Sequence, residues 1–204
     1  MVRYMFLIIF VLTLIIPPNS GADRVTFVKK PIPAPPPRLV LKTSWKEFHQ
    51  LNDIQDPVRE VKCQVALDYI KQRTGNRALP IFYAIKLHTD TNHILLMTSL
   101  IDHESRFRNV NGSAGEIGPC QIKPTTLMCL CREIRTISEA KSILADVSNN
   151  VMFSYQLLKK LGLGEKPLGS VLCQYNGSSQ QQAYAEYVTN KYKALEKNAG
   201  SLRI

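Results

Sequence analysis

Of the acids in this chain, Glu104 has the setting that best suits proton transfer. It follows the run HILLMTSLIDH (93–103), which carries no charge before Asp102 and is apolar nearly all round. Such a run reads as a helix buried in the middle of a domain. On helical geometry Glu104 shares a face with Ile101, Leu100 and Met97. A carboxyl leaving that face is partly desolvated, so its neutral form is favoured and its pKa rises. A general acid at neutral pH needs that property. The same position equally suits a solvated helix-end carboxylate paired with Arg106 or Arg108.

Two further acids lie close in sequence. Asp102 falls about 200° round the helix from Glu104, so the two cannot share a substrate. Asp102 and His103 therefore read as surface or supporting groups. Glu116 sits in NVNGSAGEIGPCQIKP (109–124), a stretch that neither helix nor strand tolerates and that reads as a long loop. Glu116 is the one nearby acid that could approach from another direction, but a turn carboxylate capping backbone N–H groups is the plainer reading. Cys120 in the same loop reads as a buried or disulfide-bonded side chain. One usable carboxylate is short of the pair that ordinary glycosidases need.

The elements that must position these groups are helical. Asp56-Pro57 gives an N-cap with proline at the first helical position, Val58, Val61, Val65 and Ile70 follow at helical spacing, and Gly75 ends the pattern. Ser44 and Glu47 make a capping box for an earlier helix. Further helices are predicted over 79–87, 93–103, 124–131, 146–161, 167–175 and 180–198. Tyr175 and Asn176 then fall between two helices, where a phenol can reach a site while its ring packs. No stretch shows sustained β alternation, so the fold class is mainly α.

Four segments now resemble a known family in order and approximate spacing: ESRF (104–107), GEIGPCQIKPTT (115–126), SNNVMFSYQLL (148–158) and QYNGS (174–178). They resemble the lytic transglycosylases of the soluble-transglycosylase type, whose pattern is Glu-Ser, then Gly-Leu-Met-Gln, then Ala-Tyr-Asn. Pro119 and Cys120 stand where the family has Leu and Met, and the likeness covers about residues 90–195. It implies a lysozyme-like helical fold that cleaves peptidoglycan glycan strands without metal or cofactor. Carried over, it makes Glu104 the catalytic acid and then base, and puts the Tyr175 hydroxyl close to it. Ser105 becomes a polar neighbour of the acid and substrate, Gln121 a contact to substrate or loop, and Asn176 a polar group fixing its turn. The implied reaction closes a 1,6-anhydro ring on N-acetylmuramic acid. Two other readings stay open: a goose-type muramidase with Glu116 as base, and a non-catalytic glycan-binding or assembly module.

The rest of the chain bounds the setting. Its 204 residues, 45% hydrophobic and 21% charged, suit one compact domain plus appendages and exclude a disordered or collagen-like chain. Lys and Arg number 26 against 16 Asp and Glu, so the partners are anionic. The basic residues are scattered, and Lys191, Lys193 and Lys197 read as a solvated helix face, so nucleic acid is not expected. Residues 1–22 have the layout of a signal peptide: Arg3, a 13-residue apolar run from Tyr4 to Ile16, then Ser20, Gly21 and Ala22. Residues 23–42 form a Pro-rich stalk, 43–89 a helical extension, and 90–204 the catalytic core. Export to the periplasm or cell envelope follows, either released or held at the inner membrane by the N-terminal segment. Wall remodelling, a secretion or conjugation machine and a phage lysis factor all fit. An oxidising compartment predicts at least one disulfide, joining Cys63 or Cys173 to Cys129 or Cys131.

Overall fold

The computed structural model describes residues 56–202, which belong to one compact unit. The expected signal segment, the stalk and the helix predicted from Ser44 and Glu47 lie outside the described residues. Within them the protein is mainly helical, and its only β pairing is a few isolated bridges in two loops.

Eight α-helices follow in order: α1 Pro57–Thr74, α2 Leu79–His88, α3 Ile94–Ser105, α4 Pro124–Leu130, α5 Ile137–Ala145, α6 Val147–Leu161, α7 Leu168–Asn176 and α8 Gln181–Ser201. The expected caps are in place. Asp56 Oδ1 accepts from Val58 N at 3.0 Å, and the Gly75 N–H closes α1 on Lys71 O at 2.7 Å. Asp146 starts α6 by accepting from Asn149 N at 2.8 Å. Helix α5 was not among those expected, although its start is written in the chain: Thr136 Oγ1 accepts from Glu139 N, and Glu139 reaches back to Arg135 N. That Thr-x-x-Glu spacing is a capping-box signal.

Helix α3 is the centre of the molecule and packs against α1, α2 and α8. Every residue from Ile94 to Asp102 is buried. The two hydroxyls in that stretch are accommodated by bonding one turn back, Thr98 to Ile94 O and Ser99 to Leu95 O, both at 2.8 Å. The helix therefore needs no polar partner on neighbouring helices until its last turn. The described part of the 43–89 extension, which lies outside the resemblance, supplies α1 and α2, and both pack against α3.

Three expectations meet the structure here. Of the two roles read for Asp102, surface or supporting, the surface one falls: the group is buried, and its side chain is 0% exposed. It survives there because the Arg73 guanidinium meets Oδ1 at 2.7 Å, Tyr69 donates to Oδ2 at 2.6 Å, and Lys191 donates to the same oxygen. Lys191 is accordingly no part of a solvated face. All five cysteines are free thiols. Cys63 is buried on α1, which packs with α2, α3 and α8, whereas Cys129 lies on α4, which packs with α5. Cys173 on α7 turns its thiol to Gln181 O at 3.4 Å.

Candidate active site

The last turn of α3 delivers Glu104 to one wall of a cleft of about 670 Å³, a size in the range of small-ligand pockets. The loop after α3, the start of α4, the end of α6 and the α7–α8 corner supply the other walls, and Glu116, Gln121, Tyr175 and Asn176 line the same cleft. Four of the six acid and polar residues singled out in the sequence thus meet around Glu104. Ser105 and Asp102 do not line it.

Glu104 Oε1 accepts from the Tyr184 hydroxyl at 2.7 Å. Burial pushes the Glu104 carboxyl up from its ordinary 4.5 to about 7; the Tyr184 hydrogen bond opposes the rise, and the negative charge of Glu116 adds to it. Arg106 and Arg108 are not its partners. The Arg108 side chain donates to Ser105 O at 3.0 Å, and Arg106 caps α3 in the left-handed conformation, φ 53°. Tyr184 is the residue that sequence reasoning missed. It lies within the predicted helix 180–198, and nothing in its immediate sequence distinguishes it from Tyr187 or Tyr192. Burial and the neighbouring Glu104 carboxylate hold its own pKa well above the usual phenol value, so it stays a donor.

Tyr175 lies near the acid but does not bond it. Its hydroxyl donates to Cys120 O at 2.9 Å and exchanges a hydrogen bond with Ser154 Oγ at 2.9 Å. The hydroxyl bonded to Glu104 is therefore Tyr184's, while Tyr175, near the acid, anchors the cleft loop. Asn150 holds the same loop from behind. Fully buried, it donates to Ile117 O at 2.8 Å and Leu144 O at 3.1 Å, and accepts from Cys120 N at 2.9 Å. Ile117 and Ile122 pair across the turn in both directions, at 3.0 and 3.1 Å. Gly118 is required at the turn: its φ is +78°, and a Cβ there would lie 2.4 Å from Asn150 Nδ2.

The remaining polar residues shape walls. Gln121 donates to Val110 O at 3.0 Å and Gly118 O at 2.7 Å, so its amide nitrogen holds the loop. Asn176 Oδ1 accepts from Ser178 N at 3.2 Å and from the Ser178 hydroxyl, which builds the α7–α8 turn. Ser105 was expected next to substrate, but it is buried: its hydroxyl donates to Ile101 O at 3.3 Å and accepts from Arg108 N at 3.2 Å. It closes the helix end that carries Glu104. Glu116 accepts from Ala114 N at 3.1 Å and pairs with Lys123 at 3.6 Å, the loop-capping role that was the plainer expectation. Cys120 is fully buried, and burial pushes its thiol well above the ordinary value, so it is a packing residue with no thiolate to offer.

Chemically the cleft holds one carboxyl poised to give and take a proton near neutrality, with a fixed phenol donor beside it. No protein-family model matches the chain, and no similar curated protein or solved structure was found.

Proposed function

We propose that the chain is a peptidoglycan lytic transglycosylase of lysozyme-like fold, acting with Glu104 as its single acid and base. The carrying observation is the Glu104 carboxyl in a cleft wall with its pKa raised to about 7. Half protonated near neutrality, it can protonate a leaving oxygen and then accept a proton in the same turnover. In the proposed reaction Glu104 gives its proton to the glycosidic oxygen between N-acetylmuramic acid and N-acetylglucosamine as the C1–O bond breaks, with the N-acetyl group assisting departure. The carboxylate then takes the proton of the muramyl C6 hydroxyl as O6 bonds to C1. The proton lost at the start is regained, no water is consumed, and no metal or cofactor enters. Tyr184 steadies the carboxylate between the two steps, and Gln121, Tyr175 and Asn176 keep the cleft walls in shape. Export to the cell envelope, from the N-terminal segment, belongs to the same reading, since the substrate lies there.

Glu116 favours a second reading, hydrolysis, because it lines the same cleft and its charge is felt at Glu104. It is the weaker one because that carboxylate is engaged with Ala114 N and Lys123. Mass spectrometry of digested peptidoglycan decides between them. Anhydro ends, lighter than hydrolysed ends by one water and resistant to borohydride, are expected. Reducible ends would establish the hydrolase, and intact glycan would leave a binding module.

A further inference from the structure

Helix α8 touches the last two turns of α3 at two polar points. Tyr184 reaches Glu104, and Lys191 reaches Asp102. Tyr184 and Lys191 are seven residues apart on α8 and so share one face, while Glu104 and Asp102 are two apart on α3. From α1, Tyr69 and Arg73 close on the same Asp102. The Tyr69 ring sits under both cations, 5.8 Å from the Arg73 guanidinium and 5.6 Å from Lys191 Nζ. It also packs nearly perpendicular to the Phe107 ring, centroids 6.1 Å apart, just past the end of α3. Three helices are thus tied at one buried carboxylate, one half-turn from the candidate acid.

We infer that Asp102 is a positioning residue: held by Lys191 and Arg73, it fixes the register of α8 on α3 and so keeps the Tyr184 hydroxyl on Glu104. The pairing of sites forces the connection. A helix is stiff over the two turns between Tyr184 and Lys191, so a slide of α8 that parted Lys191 from Asp102 would carry Tyr184 off Glu104 as well. A buried pair is also intolerant of small displacement, because a parted partner is left as an unpaired charge out of water. Apolar contacts between the same helices slide more cheaply. The strapping therefore confers register more than net stability.

The groups facing Glu104 are Tyr184 from α8, Tyr175 from α7, and Glu116 and Cys120 from the loop. Asp102, Arg73 and Lys191 are not among the causes of its raised pKa. A change at the clamp can therefore reach Glu104 by moving Tyr184, and the sign of the response is diagnostic. Loss of a hydrogen bond to the charged form raises a carboxyl pKa, whereas an uncompensated cation nearby lowers it.

The inference rests on Glu104 being the site's titrating group, but its test needs no activity. Carboxyl carbon NMR titration, with the Glu104 resonance assigned by its loss in Glu104→Gln, reads the acid directly in the exported chain. The charge-balanced pair Asp102→Asn with Lys191→Met removes the clamp without stranding Lys191, and Arg73 can turn to water. Glu104 is expected to titrate higher by roughly half a pH unit to one, the effect of one lost hydrogen bond. Added to Tyr184→Phe, which loses that bond directly, the pair should raise the pKa no further. Lys191→Gln alone, which leaves Asp102 with Tyr69 and Arg73, should give a smaller rise that likewise vanishes in the Tyr184→Phe background. A folded pair or Lys191→Gln variant in which Glu104 titrates as in the parent would overturn the inference, as would a rise of the same size on top of Tyr184→Phe. Failure of the transglycosylase reading would appear separately, in the glycan products.

Discussion

Asp102 and Glu104 stand two residues apart on one helix, and each accepts one phenol, Tyr69 at 2.6 Å and Tyr184 at 2.7 Å. Burial pushes both carboxyls up. For Asp102 that push is overcome by Lys191, Tyr69 and Arg73, and the group is held below its ordinary value. For Glu104 one phenol opposes burial and the nearest charge is another carboxylate, so the pKa climbs to about 7. Countercharge, not depth, separates a carboxyl held as an anion from one that titrates near neutrality. The two stand on the same turn of one helix.

The comparison breaks most completely at its chemical end. Glu104→Gln keeps the shape and the Tyr184 hydrogen bond but removes the titrating group. Glycan cleavage is expected to fall by roughly 10²–10⁴-fold with circular dichroism unchanged. Activity within a few-fold of the parent would move the chemistry elsewhere. At the structural end, Asp102→Asn leaves two cations facing a neutral amide. A broken buried pair costs about 3–5 kcal/mol. Here the lower end is expected, because Arg73 is 40% exposed and can rehydrate. Denaturant titration at pH 7 measures it, and a loss near zero would show that the anchor is not held by charge.

Opposite pKa shifts also predict opposite pH signatures. The raised Glu104 pKa means the folded state binds its proton more tightly, so this contribution to stability is full below about pH 4.5 and declines as pH rises to about 7. Its ceiling is about 3 kcal/mol. The depressed Asp102 pKa works the other way: its contribution is full above the ordinary value of 3.8 and is lost as pH falls through the folded value. Melting temperatures between pH 4.5 and 7.5 should therefore decline less in Glu104→Gln than in the parent. Parallel curves would remove the shifted acid. Cleavage by the parent should fall above about pH 7, where the acid form is depleted.

The helix carrying Glu104 was legible in the sequence because a run uncharged up to Asp102 states its own burial. The desolvation of Glu104 was one of two equal readings, decided only by the places that Arg106 and Arg108 take in the structure. The roles of its neighbours were less legible. The angle of about 200° correctly separated Asp102 from the site. It could not show that α1 and α8 cover that side, because Tyr69, Arg73 and Lys191 come from distant segments. Tyr184, which no sequence signal singled out, is the phenol that bonds Glu104, and Tyr175 bonds the loop, for the same reason. Both lie in the α7–α8 region, and which phenol meets the acid depends on how the corner folds back. The free cysteines show the same limit, since compartment and count say nothing about which helices are neighbours.

The smallest expected effect sharpens the comparison most. If countercharge is what separates the two acids, their phenols should not be equivalent, even though each makes one hydrogen bond of nearly equal length. Tyr69→Phe removes the hydroxyl but keeps the ring against Phe107 and beneath Arg73 and Lys191. Asp102 Oδ2 retains Lys191 and Oδ1 retains Arg73. The loss should be about 1 kcal/mol, one hydrogen bond with neither partner stranded. The midpoint of acid unfolding should hardly move, because the cations still favour the charged form. Denaturant titration at pH 7 and pH 4 reads both. A loss as large as that of Asp102→Asn, or an acid midpoint displaced upward by a full pH unit, would mean that the phenol holds Asp102. The contrast with Glu104 would then reduce to hydrogen-bond geometry.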